Sequence, residues 1–241
     1  MQNPIGMPLD PHIKVVPNPE ANEPNGSNAF SQCLGELQFL GNMTRLDILY
    51  PVNWLGASTA NPSLQHYAAL KQMLRYLSGT RTFGITYRRS KDDTDKSKLF
   101  YGFSDAAFVN QDNGKSTSGY VFLASRGAIT WKSEKQSIIA LSRTESEYIA
   151  LSEATWLRNL YGKLGFPQMT PMIIKGNNEG SVSMTHDPQF HARSKHIVLH
   201  HHWVRDLIND NVLDIHNVCN PEQMADILTE EMGVRATDII W

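Results

Sequence analysis

The sequence predicts a mixed α/β protein in which a small helical segment precedes a domain built around a β-sheet. Apolar residues recur at helical spacing before residue 88, whereas they alternate with a period of two from residue 99 onward. The charged stretch RRSKDDTDKSK separates the two regions, and we place the domain boundary there. With 41% hydrophobic residues in 241, the chain can bury one large core or two small ones.

The boundaries follow from changes in composition along the chain. Prolines interrupt every possible period in residues 1–28, which predicts an extended arm. We assign residues 29–90 to the helical segment and residues 97–232 to the sheet-containing domain. Residues 233–241 are left as a tail.

Two stretches of the helical segment predict helices. Apolar residues between Phe30 and Tyr50 follow helical spacing, although glycines interrupt it. Residues 63–78 predict a clearer helix, because Asn61 is a good cap and Pro62 suits the first helical position.

The residue pattern of the second domain predicts five short strands and three helices. The strands are LFYGF, YVFLAS, AITWKS, MIIK and VLDIHNV, and the helices run from Ser142 to Gly165, from Val198 to Asn209 and onward from Pro221. Short turns join the first three strands, which predicts an antiparallel meander. The order of strands and helices indicates a mixed α/β fold.

Composition excludes several classes of protein. No apolar run approaches the roughly 20 residues that a membrane helix needs, and the N-terminus lacks the features of a secretory signal. We therefore expect an intracellular protein, cytoplasmic or nuclear, with no membrane partner. The two cysteines lie far apart, which argues against a disulfide framework, and the net charge of -2 argues against bulk electrostatic coating of nucleic acid.

Four oxygen-bearing side chains lie on four separate predicted elements of the second domain. Asp105 follows an alternating strand, Glu147 lies one turn into the long helix, Asn177 comes directly after MIIK, and Asp226 lies in the last helix. A sheet that brought them together would form a site for hard divalent cations. Ordinary turn, solvent-exposed and helix-dipole roles explain the same residues, and spacing alone leaves both interpretations open. Asp47, in the helical segment, is predicted to form a helix-end salt bridge.

Several strings in register indicate a family. YGFSDAAF, KSTSGYVFL, AITWKSEKQ, ALSRTESEYIALSEATWLRNL, HARSKHIVLHHHWVR and EQMADILTE resemble the ribonuclease H domain of copia-type retrotransposon polyproteins. The strings SQCLGELQFLGNMTRLDILYPVNWL and NPSLQHYAALKQMLRYLSGTRTFGITY resemble the segment that links this family's polymerase palm to that domain.

The resemblance implies an RNase H-like fold, a mixed five-stranded sheet with flanking helices, preceded by a small helical connection segment. It implies two-metal hydrolysis of the RNA strand of an RNA–DNA hybrid with Mg²⁺ or Mn²⁺, and the rest of a Pol polyprotein as a further partner. The chain holds no Y-x-D-D-like pair and begins after the position of the palm, so we expect no polymerase activity.

The resemblance also implies which residues are catalytic. The family's acidic positions fall on Asp105, Glu147 and Asp226, which would be the metal ligands, with Glu145 a weaker candidate for the helix position. The fourth falls on Asn177, where the family has an aspartate; an amide retains an oxygen but loses the negative charge.

Loss of that charge should lower metal affinity and rate, so we expect an impaired nuclease. The nearby Glu179 is offset by two residues and is a poor replacement. The alternative is a catalytically silent remnant that retains the fold and weak nucleic-acid binding.

Basic residues in two strings predict contacts with nucleic acid. Lys132 and Lys135 lie beside an aromatic residue, and Arg193, Lys195 and His196 form a basic, histidine-containing string. The histidines of that string also have the i, i+4 spacing of zinc ligands, but no third ligand accompanies them.

Overall fold

The computed structural model describes residues 5–10, 24–88, 100–107, 117–135, 144–168, 170–176 and 203–230. Within these ranges the side chains of residues 24–27, 106, 144–150 and 220 are not described. In the described part of the chain, no helix is long and apolar enough to cross a lipid bilayer.

Between residues 24 and 88, which the structure describes, the helical segment consists of three α-helices and one 3-10 turn. These are α1 (Pro24–Met43), the turn Leu46–Ile48, α2 (Leu49–Gly56) and α3 (Leu64–Gly79). Residues 24–28, predicted to be extended, are therefore helical, since proline is compatible with the first helical turn. The predicted helix between Phe30 and Tyr50 is interrupted near Arg45, whose backbone is not helical.

The helix predicted for residues 63–78 is confirmed as α3, but its cap is Ser63 and not Asn61. The Ser63 backbone N–H donates to His66 Nδ1 at 2.9 Å. This bond gives a partner to a backbone donor that has no acceptor within the helix. Leu9, in the predicted extended arm, is buried in the core that α1, α2 and α3 share.

The predicted salt bridge of Asp47 is confirmed, and it is buried. Arg45 Nη2 lies 2.6 Å from Asp47 Oδ2, and Tyr76 O–H donates to the same oxygen at 2.7 Å. Arg45 also donates to the carbonyl oxygen of Thr80 at 3.0 Å. This network joins the turn after α1 to the end of α3.

In the described part of the chain the sheet has five strands, as the resemblance implied. They are β1 (Phe100–Ala107), β2 (Thr117–Ala124), β3 (Gly127–Lys135), β4 (Met172–Gly176) and β5 (Leu213–Asn217), in the spatial order β3-β2-β1-β4-β5. The first three pair antiparallel as a meander, whereas β4 pairs parallel with both β1 and β5. Helix α4 (Thr144–Lys163) connects β3 to β4, and the helix at 203–209, α5, precedes β5.

Each face of the sheet carries its own core. Phe100 and Phe122 point to the face covered by α4 and α5, where Leu151 and Val204 pack on them. Val121 points to the opposite face and packs there with Leu49 of the helical segment. The helical segment therefore shares a core with the sheet. A hydrogen bond from Trp131 Nε1 to the Gly41 carbonyl oxygen, 2.8 Å long, crosses this contact.

The helix predicted from Pro221 onward is wrong for residues 220–228. The chain forms two 3-10 turns there, Asn220–Glu222 and Met224–Leu228, separated by Gln223 in an extended conformation. The Gln223 side chain accepts from the Ala225 N–H, so it caps the second turn. All five residues of that turn are buried, which shows that packing and not amphipathic helical periodicity determines its conformation.

Candidate active site

Asp105 lies within β1, two residues before the strand ends, and is half-buried. It stands opposite Gly119 of β2 in the antiparallel register, so the two residues face the same side of the sheet. A methyl group at Gly119 would lie 2.7 Å from Leu228 Cβ and 2.8 Å from Thr229 Cγ2. The second 3-10 turn therefore packs directly against the strand beside Asp105.

We call residues 223–230 the Asp226 segment, and two hydrogen bonds join it to β1. Gln223 Nε2 donates to the carbonyl oxygen of Ser104 at 3.0 Å. Thr229 Oγ1 donates to Asp105 Oδ2 at 2.5 Å. These bonds, between residues far apart in the chain, hold the turn that carries Asp226 against the strand that carries Asp105.

Asp226 is only 7% exposed, and its Oδ1 is a buried oxygen without a hydrogen-bond partner. Burial, followed by the negative charges of Asp105 and Glu230, raises the pKa of Asp226 to about 7. An unpartnered carboxylate oxygen beside a second carboxylate is costly without a proton or a cation. The donor chemistry therefore fits a hard divalent cation.

Glu230 adds a third acidic side chain to this end of the sheet. Its N–H donates to the Asp226 carbonyl oxygen at 3.0 Å, which places it one turn after Asp226. The residue is exposed, yet partial desolvation and the charge of Asp105 raise the pKa of its carboxyl group. Within the described residues, no three histidine, cysteine, aspartate or glutamate side chains are grouped closely enough to hold a metal ion.

The other predicted acidic-site positions are only partly visible. The backbone of Glu147 lies in the first turn of α4, but its side chain, like that of Glu145, is not described. Asn177 and Glu179 lie outside the described residues. Gly176, the residue before Asn177, ends β4, and a Cβ on it would lie 3.8 Å from the Ser104 carbonyl oxygen.

Of the predicted nucleic-acid contacts, the structure describes Lys132 and Lys135, both on β3. Lys132 Nζ lies 2.5 Å from Glu134 Oε2, and both side chains are about half exposed. This ion pair reduces the positive charge that Lys132 offers to a phosphate backbone. Arg193, Lys195 and His196 lie outside the described residues, as does the zinc alternative for the histidines.

Sequence reasoning missed three residues of the site. Thr229 and Glu230 end the EQMADILTE string, and Gly119 lies within KSTSGYVFL. Their presence in these strings was the available signal. Their roles depend on a contact between the Asp226 segment and β2 that periodicity does not encode.

Comparison with known proteins extends over nearly the whole chain. The chain is 32% identical over 237 residues to the retrovirus-related Pol polyprotein from transposon TNT 1-94 of Nicotiana tabacum. This alignment covers 94% of this chain and 17% of that protein. The Pol polyprotein from transposon RE1 of Arabidopsis thaliana is 34% identical over 205 residues, covering 83% of this chain and 14% of that protein. The chain is a homologue of the copia-type retrotransposon Pol polyproteins.

The Pol homologue spans less than a fifth of the length of these relatives. It is also 39% identical over 127 residues to the secreted RxLR effector protein 161 of Plasmopara viticola, which covers 52% of this chain and 86% of that protein. No protein-family model matches the chain.

The Pol homologue has the RNase H-like fold that the family resemblance implied, a mixed five-stranded sheet with flanking helices. LC11-RNase H1, solved in complex with an RNA/DNA hybrid, is 16% identical, with a TM-score of 0.41 and coverage of 54% of this chain and 93% of that one. The foamy viral protease-reverse transcriptase is 14% identical, with a TM-score of 0.46 and coverage of 80% of this chain and 25% of that one.

Proposed function

We propose that this chain binds RNA–DNA hybrids and carries an impaired two-metal site for hydrolysis of the RNA strand. The observation that carries the proposal is the pairing of Asp105 with the buried, unpartnered Asp226 oxygen. Within this proposal, residues 97–232 are the RNase H-like unit, and residues 29–90 correspond to the connection region of a Pol polyprotein.

The chain's own residues prepare a cation site. Asp105 and Asp226 would hold Mg²⁺ or Mn²⁺, with Glu147 of α4 as the third ligand that the family resemblance implies. When bound, such ions neutralise a phosphodiester and activate water. Thr229 and Gln223 fix the Asp226 segment on β1, so the two carboxylates stay together despite their mutual repulsion.

Asn177 is the reason for proposing impairment. The amide at this position supplies no charge, so the site has one anion fewer than an intact family member. Each loss of about 1.4 kcal/mol of transition-state stabilisation lowers the rate tenfold. A partly charged site should still bind a cation, but more weakly and with slower hydrolysis.

Cleavage of a labelled RNA–DNA hybrid by the full chain, in Mg²⁺ or Mn²⁺, tests the proposal. We expect slow cleavage that Asp105→Asn abolishes. Asp214→Asn is a matched control, because Asp214 is a half-exposed β5 residue whose carboxylate pairs with His216. Cleavage by wild type no faster than by Asp105→Asn would reject the nuclease activity.

The second candidate function is a catalytically silent remnant that retains weak hybrid binding, which Asn177 favours. Cleavage by wild type relative to Asp105→Asn distinguishes the two, and Asn177→Asp tests whether this residue is the cause. A gain in cleavage supports Asn177 as the cause of impairment. Unchanged cleavage shows that this substitution is not what limits the site, and hybrid binding without any cleavage by wild type supports the remnant.

A further inference from the structure

The hydroxyl group of Thr229 donates a hydrogen bond to the carboxylate of Asp105. The Thr229 side chain is fully buried, and its hydroxyl lies 2.5 Å from Asp105 Oδ2 and 3.2 Å from the Asp226 carbonyl oxygen. A hydroxyl has a single proton to donate. The shorter distance and the charge of the carboxylate assign that proton to Asp105.

The competing acceptor is already satisfied. The Asp226 carbonyl oxygen accepts the N–H groups of Thr229 and Glu230, each at 3.0 Å. The Thr229 hydroxyl is therefore not needed to complete the turn. Its bond to Asp105 instead restricts rotation of that carboxylate, because Oδ2 is held to a buried donor on the Asp226 segment.

We propose that Thr229 is a positioning residue, which orients the Asp105 carboxylate so that its other oxygen, Oδ1, would be presented to a cation that Asp226 would also hold. The inference rests on the proposed function, since it assigns Thr229 a role at that metal site. Hydrogen bonds from outside the ligand set typically change metal affinity by about 10- to 100-fold. Thr229 acts through Asp105 and does not itself touch the metal or the substrate.

Two substitutions separate the hydroxyl from the methyl group of Thr229. Thr229→Val retains the methyl group, which packs near Gly119, and removes the hydroxyl. Thr229→Ser removes the methyl group and retains the hydroxyl. A positioning role predicts that valine weakens binding about 10-fold and that serine restores it. A packing role predicts the opposite order.

The experiment is a calorimetric titration of the EDTA-treated 241-residue chain with Mn²⁺ alone. Thr155→Val is the matched control, because Thr155 in α4 donates its hydroxyl to the Leu151 carbonyl oxygen at 2.9 Å, in another part of the fold. Wild-type affinity in Thr229→Val, or lost affinity in Thr229→Ser, would overturn the inference.

A third variant covers the case in which Thr229→Val does not fold. Thr229→Ala differs from Thr229→Ser by the hydroxyl alone, so we expect it to bind about 10-fold more weakly than serine. Equal affinities of alanine and serine would contradict the role. If wild type binds no Mn²⁺, the proposed metal site itself fails, whereas binding that is independent of the hydroxyl refutes only Thr229.

Discussion

Asp105 on β1 stands opposite Gly119 on β2, and the missing side chain at Gly119 leaves room for the turn that carries Asp226. Leu228 and Thr229 occupy the space where a methyl group would lie. The candidate site therefore depends on a residue with no functional group, because close packing at Gly119 determines where the second carboxylate lies.

Gly119→Ala should displace the Asp226 segment. A Cβ would lie 2.7 Å from Leu228 Cβ, and overpacking of this kind costs about 1–3 kcal/mol. We expect a lower midpoint of urea unfolding and loss of Mn²⁺ binding. Gly162→Ala in α4 is the control, because open space surrounds Gly162 and alanine favours helices. Unchanged Mn²⁺ affinity in Gly119→Ala would contradict the role assigned to this contact.

Asp226 should make the metal-free protein less stable as pH rises. Its pKa is about 7 in the folded protein and about 3.8 in the unfolded chain, so between these values the folded state holds the proton more tightly. The penalty grows from about pH 4 to pH 7 and reaches about 4 kcal/mol at most. Asp226→Asn should remove most of this pH dependence in urea unfolding experiments with EDTA present. A wild-type pH profile in the variant would refute the assignment.

Breaking the buried Arg45–Asp47 ion pair should lower the free energy of unfolding more than breaking the half-exposed Asp214–His216 pair. Asp47→Ala leaves Arg45 buried without its carboxylate partner, which should cost about 3–5 kcal/mol. Asp214→Ala breaks a half-exposed pair with His216 and should cost less than about 1 kcal/mol. Urea unfolding of both variants checks the difference, and equal losses would show that burial does not govern these pairs.

Removing the helical segment should expose a core face of the sheet. Leu46 and Leu49 pack with Phe103 and Val121, so a chain that lacks residues 1–88 leaves the part of that face that the Asp226 segment does not cover open to water. We expect this truncated chain to melt at a lower temperature and to bind the dye ANS. A truncated chain as stable as the full chain would show that the sheet-containing domain folds independently.

The ion pair on β3 should limit nucleic-acid binding. Glu134→Gln removes the carboxylate partner of Lys132. The affinity of this variant for an RNA–DNA hybrid should therefore rise a few-fold and decrease more steeply with salt. Lys132→Ala should have a smaller effect, because the lysine charge is already paired. Fluorescence anisotropy at several salt concentrations measures both. Weaker binding by Glu134→Gln would argue against a phosphate contact by Lys132.

Local patterns in the sequence were sufficient for most of the elements. Period-two alternation located all three strands of the meander, and helical spacing located α3 and α4. The same reasoning placed Asp226 in an α-helix, whereas it lies in a buried 3-10 turn. That error arose because contacts with β1 and β2, distant in the chain, determine the backbone there.

The sequence by itself determined the family and the mixed α/β class, and through the family resemblance it named Asp105 and Asp226 as candidates for one site. These follow from residue types and their order, which a linear pattern contains. Only the tertiary structure showed that Thr229 bonds to Asp105, that Gly119 admits the Asp226 segment, and that burial raises the pKa of Asp226. Each of these depends on atoms meeting within a few ångströms across the sheet, and the geometry of close packing appears only when the whole chain is folded.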